Sequence, residues 1–192
     1  MRKSEKTAIY GIFTAIIIVL QLLSYSLKIG TFNLSLVLIP IVFGAYLFGP
    51  KAGAFFGFVF GIIVVIACAL GIDAGGAILF ADAPITTSLV CLIKGAAAGF
   101  AAGLVCKAFE KSGKNKYFGI ILAAAAAPII NTGLFTAAMF TLFEKTLYAW
   151  AGGTPVFTYV ILYLIGGNFL IEFAINIIFA PSLLRIKKAL KK

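Results

Sequence analysis

Residues 33–70 read NLSLVLIPIVFGAYLFGPKAGAFFGFVFGIIVVIACAL, a run of 38 residues whose one charged side chain is Lys51. As a single helix it would extend about 57 Å at 1.5 Å per residue, nearly twice the roughly 30 Å hydrocarbon thickness of a bilayer. A break is therefore required, and Phe48-Gly49-Pro50-Lys51 supplies it. Proline removes a backbone donor and glycine permits a tight reversal. The stretch reads as two transmembrane helices folded into a hairpin.

The same ruler applied outward finds four more apolar segments. The six run approximately over Thr7–Ser26, Asn33–Gly49, Lys51–Leu70, Pro84–Lys107, Tyr117–Phe143 and Phe157–Leu184. Pro84 suits the first turn of the fourth, where its missing N–H is not needed. The expected fold is all-α: one integral membrane domain over residues 1–192, built as a bundle of six transmembrane helices. Composition agrees, since 62% of the 192 residues are hydrophobic and 11% charged, with a mean hydropathy of +1.13. A soluble domain is about 45–50% apolar, and these few charges cannot form a polar skin. The charged start Met1–Lys6 and the apolar run after it have the outline of a signal peptide. The run is near spanning length and no small-residue cleavage site stands out, so it reads as the first helix.

A net charge of +10 would suit a nucleic-acid partner, but the cations sit in short runs between apolar stretches instead of on one face, so no nucleic acid is expected. Topology explains them better. Positive residues collect on cytoplasmic loops, and with six crossings thirteen of the sixteen fall on one side: Arg2, Lys3, Lys6, Lys51, the cluster from Lys107 to Lys116, and the C-terminal group from Arg185. Only Lys28 and Lys145 fall on the other. Both termini are therefore expected in the cytoplasm, with outer loops over Leu27–Phe32, Gly71–Ala83 and Glu144–Val156.

Lys94 is the one cation left inside a helix, roughly 15 Å from its outer end. Asn131 and Asn168 reach roughly 18 and 16 Å in the fifth and sixth helices, so three helices deliver polar groups to one layer. Asn168, Glu172 and Asn176 share a face at four-residue spacing. Buried charges and amides are costly in a bilayer unless paired. Either Lys94 and Glu172 form an ion pair while the asparagines bond between helices, or the group is a ligand pocket with a few polar contacts among apolar walls. Tyr148 and Trp150, in the outer loop above, either close over a ligand or belong to an interfacial aromatic belt. Two glycine ladders, Gly49-Gly53-Gly57-Gly61 and Gly95-Gly99-Gly103, place small residues at every fourth position, which lets helix backbones pack closely. Thr7, Gly11 and Ala15 form a shorter series that serves either packing or docking. Cys68, Cys91 and Cys106 have no CxxC spacing and read as small packing residues.

Several chemistries are excluded. The chain has no histidine, so His-based catalysis and His-containing metal sites are out. Gly44–Lys51 reads GAYLFGPK and fails the P-loop order. No paired carboxylates are available for acid–base work, because Asp73 and Asp82 lie in a loop. An enzyme is not expected, nor a cofactor or metal. A compact binder without an engine suggests a subunit that borrows one.

Four segments carry a resemblance: TAIYGIFTAIIIVLQ (residues 7–21), LSLVLIPIVFGAYLFGPKAGAFFGFVFG (34–61), LIKGAAAGFAAGLVCK (92–107) and GGNFLIEFAINIIFAP (166–181). Their order resembles the substrate-binding S components of energy-coupling factor (ECF) vitamin transporters. The resemblance implies a membrane subunit that captures a vitamin or related micronutrient from outside. It implies docking on a transmembrane coupling subunit bound to two cytoplasmic ATPases, followed by toppling in the bilayer of the bacterial cell membrane. It also implies a docking motif of two alanines four apart on the first helix, for which Ala8, Gly11 and Ala15 are the counterparts, and a lid role for Lys28–Asn33. Lys94, if unpaired, favours a carboxylate or another anion, which among the family's substrates points to pantothenate, folate or biotin, while Glu172, if it faces the pocket, favours a cationic or hydrogen-bond-donating ligand. Together they lean toward pantothenate or another small polar vitamin. The expected substrate contacts are Lys94, Asn131, Asn168, Glu172, Tyr148 and Trp150. The alternative is a self-sufficient secondary carrier or channel, for which Glu172 is the one coupling carboxylate available.

Overall fold

The structure, a computed structural model, describes residues 3–26, 28–29, 32–33, 35–113 and 115–189. The side chains at 3, 28–29, 32–33, 116, 164, 167–168 and 185–189 lie outside that description. The described chain is helical almost throughout. In order it forms α1 (Lys3–Ser24), a two-residue antiparallel ladder of β1 (Lys28–Ile29) and β2 (Phe32–Asn33), α2 (Leu38–Phe48), α3 (Pro50–Ala69), α4 (Ala74–Asp82), α5 (Pro84–Lys111), α6 (Lys116–Thr141), α7 (Glu144–Ala151), α8 (Val156–Tyr159), a π-helical turn (Val160–Gly166) and α9 (Gly167–Ala189).

The break in the deciding stretch falls at Gly49. Its φ of 90° is open to glycine, and Pro50 opens α3 at a position where no N–H is needed. Spans Ser4–Ser24, Pro50–Ala69, Pro84–Lys111 and Tyr117–Thr141 are long and apolar enough to cross a membrane. α2 has eleven residues, roughly 16 Å. The apolar part of the last helix, Phe169–Leu184, reaches roughly 24 Å. The chain is thus a multi-pass membrane protein with four helices of full spanning length among the described residues.

α3 and α5 form the closest helix pair, and the two glycine ladders are the reason. They face each other in antiparallel order: a methyl group added at Gly53 would meet the Gly99 carbonyl, and one at Gly57 would meet the Gly95 carbonyl. At Gly61 it would lie 2.7 Å from the carbonyl oxygen of Cys91. No side chain separates the backbones along this seam, which maximises dispersion contact where lipid removes the hydrophobic incentive. The main core gathers around it, with Phe56 fully buried against Tyr10 and Phe13 of α1 at ring separations of 5.0 and 5.5 Å.

Two expected outer loops are folded. Asp73 caps α4 by accepting the Gly76 N–H at 3.0 Å, so a glycine-rich stretch still forms two turns. Thr146 on α7 donates to Asp82 Oδ2 at 3.2 Å and ties the two short helices together. Leu79 of α4 and Leu147 of α7 join Met139, Phe143 and Val160 in a second apolar cluster.

Candidate functional site

A cavity of about 130 Å³ opens where the glycine seam ends. Beyond Gly61 the next α3 side chains on that side, Val64 and Cys68, stand against its wall, as do Thr87 and Cys91 of α5. The cavity is completed by Gln21 of α1, Tyr25 and Ser35 from the α1–α2 connection, Gly76 and Leu79 of α4, Asn131, Thr132 and Phe135 of α6, Trp150 of α7, and Phe169 and Glu172 of α9. The short helices α4 and α7 therefore form part of the enclosure. The irregular π-helical turn lies directly before Phe169 and Glu172; such turns recur at functional sites.

Lys94 lines the cavity with its ammonium 5.2 Å from the ring centre of Phe135 and 6.0 Å from that of Phe60. Aromatic faces offer a cation partial compensation. Among the described residues no carboxylate lies within ion-pair distance of it. Glu172, 4% exposed, is engaged elsewhere: its Oε1 accepts the backbone N–H of Ser35 at 2.8 Å. The buried pair that the sequence allowed is therefore not formed, and both charges reach the same cavity separately.

Asn131 also lines the cavity. It is 8% exposed, and its side-chain oxygen has no hydrogen-bond partner, an open acceptor that buried groups seldom tolerate. Asn176 does not join them, because its Nδ2 donates to the Glu172 carbonyl oxygen at 2.8 Å within the same helix. The side chain of Asn168 and those of Lys28–Ile29 and Phe32–Asn33 lie outside the described residues. Trp150 is on the wall, whereas Tyr148, on the neighbouring face of α7, is 58% exposed and away from it.

Sequence reasoning passed over Gln21, Tyr25, Ser35, Cys68 and Cys91. Gln21 carried a usable signal, being an amide inside the first apolar segment, subject to the same depth argument as the asparagines. The cysteines were read as packing, and they are buried, but on a cavity wall. Ser35 contributes through its backbone, for which residue type gives no signal. The arrangement can hold an anionic group at Lys94 and hydrogen-bond donors at Glu172 and Asn131, between the apolar faces of Phe60, Phe135 and Trp150.

A family model described as "ECF transporter, substrate-specific component" matches residues 5–184. A search of the curated proteins finds no match.

Proposed function

The chain belongs to the substrate-specific components of ECF transporters, and from that premise we propose that it captures pantothenate or another small polar vitamin from outside the bacterial cell membrane. In this reading the chain crosses the membrane six times with both termini in the cytoplasm. It hands its cargo to a transmembrane coupling subunit driven by two cytoplasmic ATPases. The observation that carries the ligand class is Lys94: a cation inside a membrane helix, with no carboxylate at ion-pair distance among the described residues, leaves room for an anion from the ligand. Glu172 and the open Asn131 oxygen add a demand for hydroxyl or N–H donors. Pantothenate has a carboxylate at one end and two hydroxyls and an amide N–H along the rest.

Asn168 is assigned to the same site from its place in the sequence. Trp150 covers it from the α7 side, whereas Tyr148 is exposed away from the wall. For the partner, the reading assigns docking to Ala8, Gly11 and Ala15. All three are exposed on α1, and a side chain at Gly11 would meet nothing within 4 Å, so a neighbouring helix has room to approach. Mass spectrometry of the small molecule that copurifies with the chain tests the ligand class. A carboxylate bearing several donors is expected; a cation without an acidic group would overturn it.

A further inference from the structure

Glu172 and Ser35 stand 137 positions apart in sequence, yet among the described residues their hydrogen bond, at 2.8 Å, is the shortest one holding the foot of the α1–α2 connection. The other ties at that foot are long. Leu36 N–H donates to Ser24 Oγ at 3.4 Å, and Ser35 Oγ donates to Gln21 Oε1 at 3.5 Å. At 2.8 Å the bond to Glu172 has the best length of the three. A carboxylate has two oxygens with about four acceptor sites, and Ser35 uses one. Among the described residues nothing else in the protein donates to the Glu172 carboxylate: Asn176 goes to its backbone carbonyl, and Lys94 lies over Phe60 and Phe135. Its remaining capacity belongs to the cavity it lines.

We infer that Glu172 is a divided carboxylate, one oxygen clamping the α1–α2 connection through the Ser35 amide and the other accepting a hydroxyl, amide N–H or ammonium of the ligand. Ser35 is then a positioning residue that aims Glu172. The inference rests on the reading of this cavity as the ligand site. Its consequence is that the ligand and the chain segment leading into α2 share one side chain, so loss of the clamp loosens the ligand even though no ligand contact has been removed.

Glutamine separates the two roles. In Glu172→Gln the side-chain carbonyl still accepts the Ser35 N–H, so the amide NH₂ is what faces the ligand's donor. The experiment compares the full-length chain with Glu172→Gln, Glu172→Ala, Ser35→Pro and Ser35→Ala, measuring the unfolding midpoint without ligand and the Kd for pantothenate by calorimetry. Glu172→Gln is expected to keep the midpoint while weakening binding about tenfold or more, as for a lost hydrogen bond to a charged group. Glu172→Ala lowers both. Ser35→Pro deletes the donor and weakens binding by about tenfold, whereas Ser35→Ala, which keeps the amide, stays within about threefold. Tight binding by Glu172→Gln, or equal affinities for the two Ser35 variants, overturns the inference and leaves the vitamin-capture reading standing. If the wild-type chain binds no pantothenate but retains another molecule, its amount per chain replaces Kd in the same comparison. A wild-type chain that binds pantothenate not at all and retains nothing overturns both.

Discussion

Lys94 carries its charge into a stretch of α5 otherwise made of small and apolar residues, KGAAAGFAAG from 94 to 103. Its ammonium lies 5.2 Å from the Phe135 ring centre and 6.0 Å from that of Phe60, with no carboxylate at ion-pair distance among the described residues. Ring faces compensate a cation by about 0.5–2 kcal/mol, less than an anion at hydrogen-bond distance. Removing the charge should therefore relieve the empty protein and penalise the loaded one. Lys94→Ala is expected to insert and fold normally while weakening binding of a carboxylate ligand by about 1.5–3 kcal/mol, roughly ten- to a hundredfold. Asn168→Ala should weaken binding in the same direction. Calorimetry on the purified variants checks both, and unchanged affinity would make these residues structural. At this scale the sequence carried half the site. Charge and depth single out Lys94, Asn131 and Glu172, because a polar group in a bilayer is conspicuous in a hydropathy reading. Whether two such groups pair or stand apart depends on side-chain reach across helices, and the answer came from the bond between Ser35 and Glu172.

At the level of elements, the glycine seam and the face of α1 use the same residue type for different ends. Along α3 and α5 the glycines are covered by each other's carbonyls, and a methyl has no space. Gly57→Ala should therefore lower stability by about 1–3 kcal/mol, the usual range for overpacking. A fall in unfolding midpoint measured in detergent checks this, and an unchanged midpoint would mean that the seam is looser than described. On α1, Gly11 has open space. Gly11→Leu is expected to preserve the midpoint and vitamin binding but to abolish assembly with the coupling subunit, measured by co-purification; normal assembly would move the docking face elsewhere. Four-residue spacing made both series visible in the sequence, but spacing alone does not say what lies opposite. The short helices were hidden for another reason. α4 begins with Ala-Gly-Gly, a poor helix start by propensity, and owes its first turn to the Asp73 cap. α7 depends on apolar contacts of Leu147 that form only in the folded protein.

Viewed as a whole, the molecule is a closed seam at one end and a cavity at the other, roofed by two short helices tied through Thr146 and Asp82. The hairpin at Gly49-Pro50 and the four long spans were legible because bilayer thickness fixes helix length. In the proposed six-helix topology the other two crossings would fall to the shorter α2 and to the interrupted stretch from Val156 to Ala189, and the proposed cytoplasmic termini rest on the charge distribution alone. The proposed role is that of a capture device that depends on other subunits for energy. Its most direct test is uptake of radiolabelled pantothenate into liposomes that hold the purified chain, alone or together with its coupling subunit, the two ATPases and internal ATP. The predicted result is binding without accumulation by the chain alone, and accumulation only in the complete, ATP-loaded assembly. Accumulation by the chain alone, down a gradient or coupled to an ion, would contradict the account and identify a self-sufficient carrier.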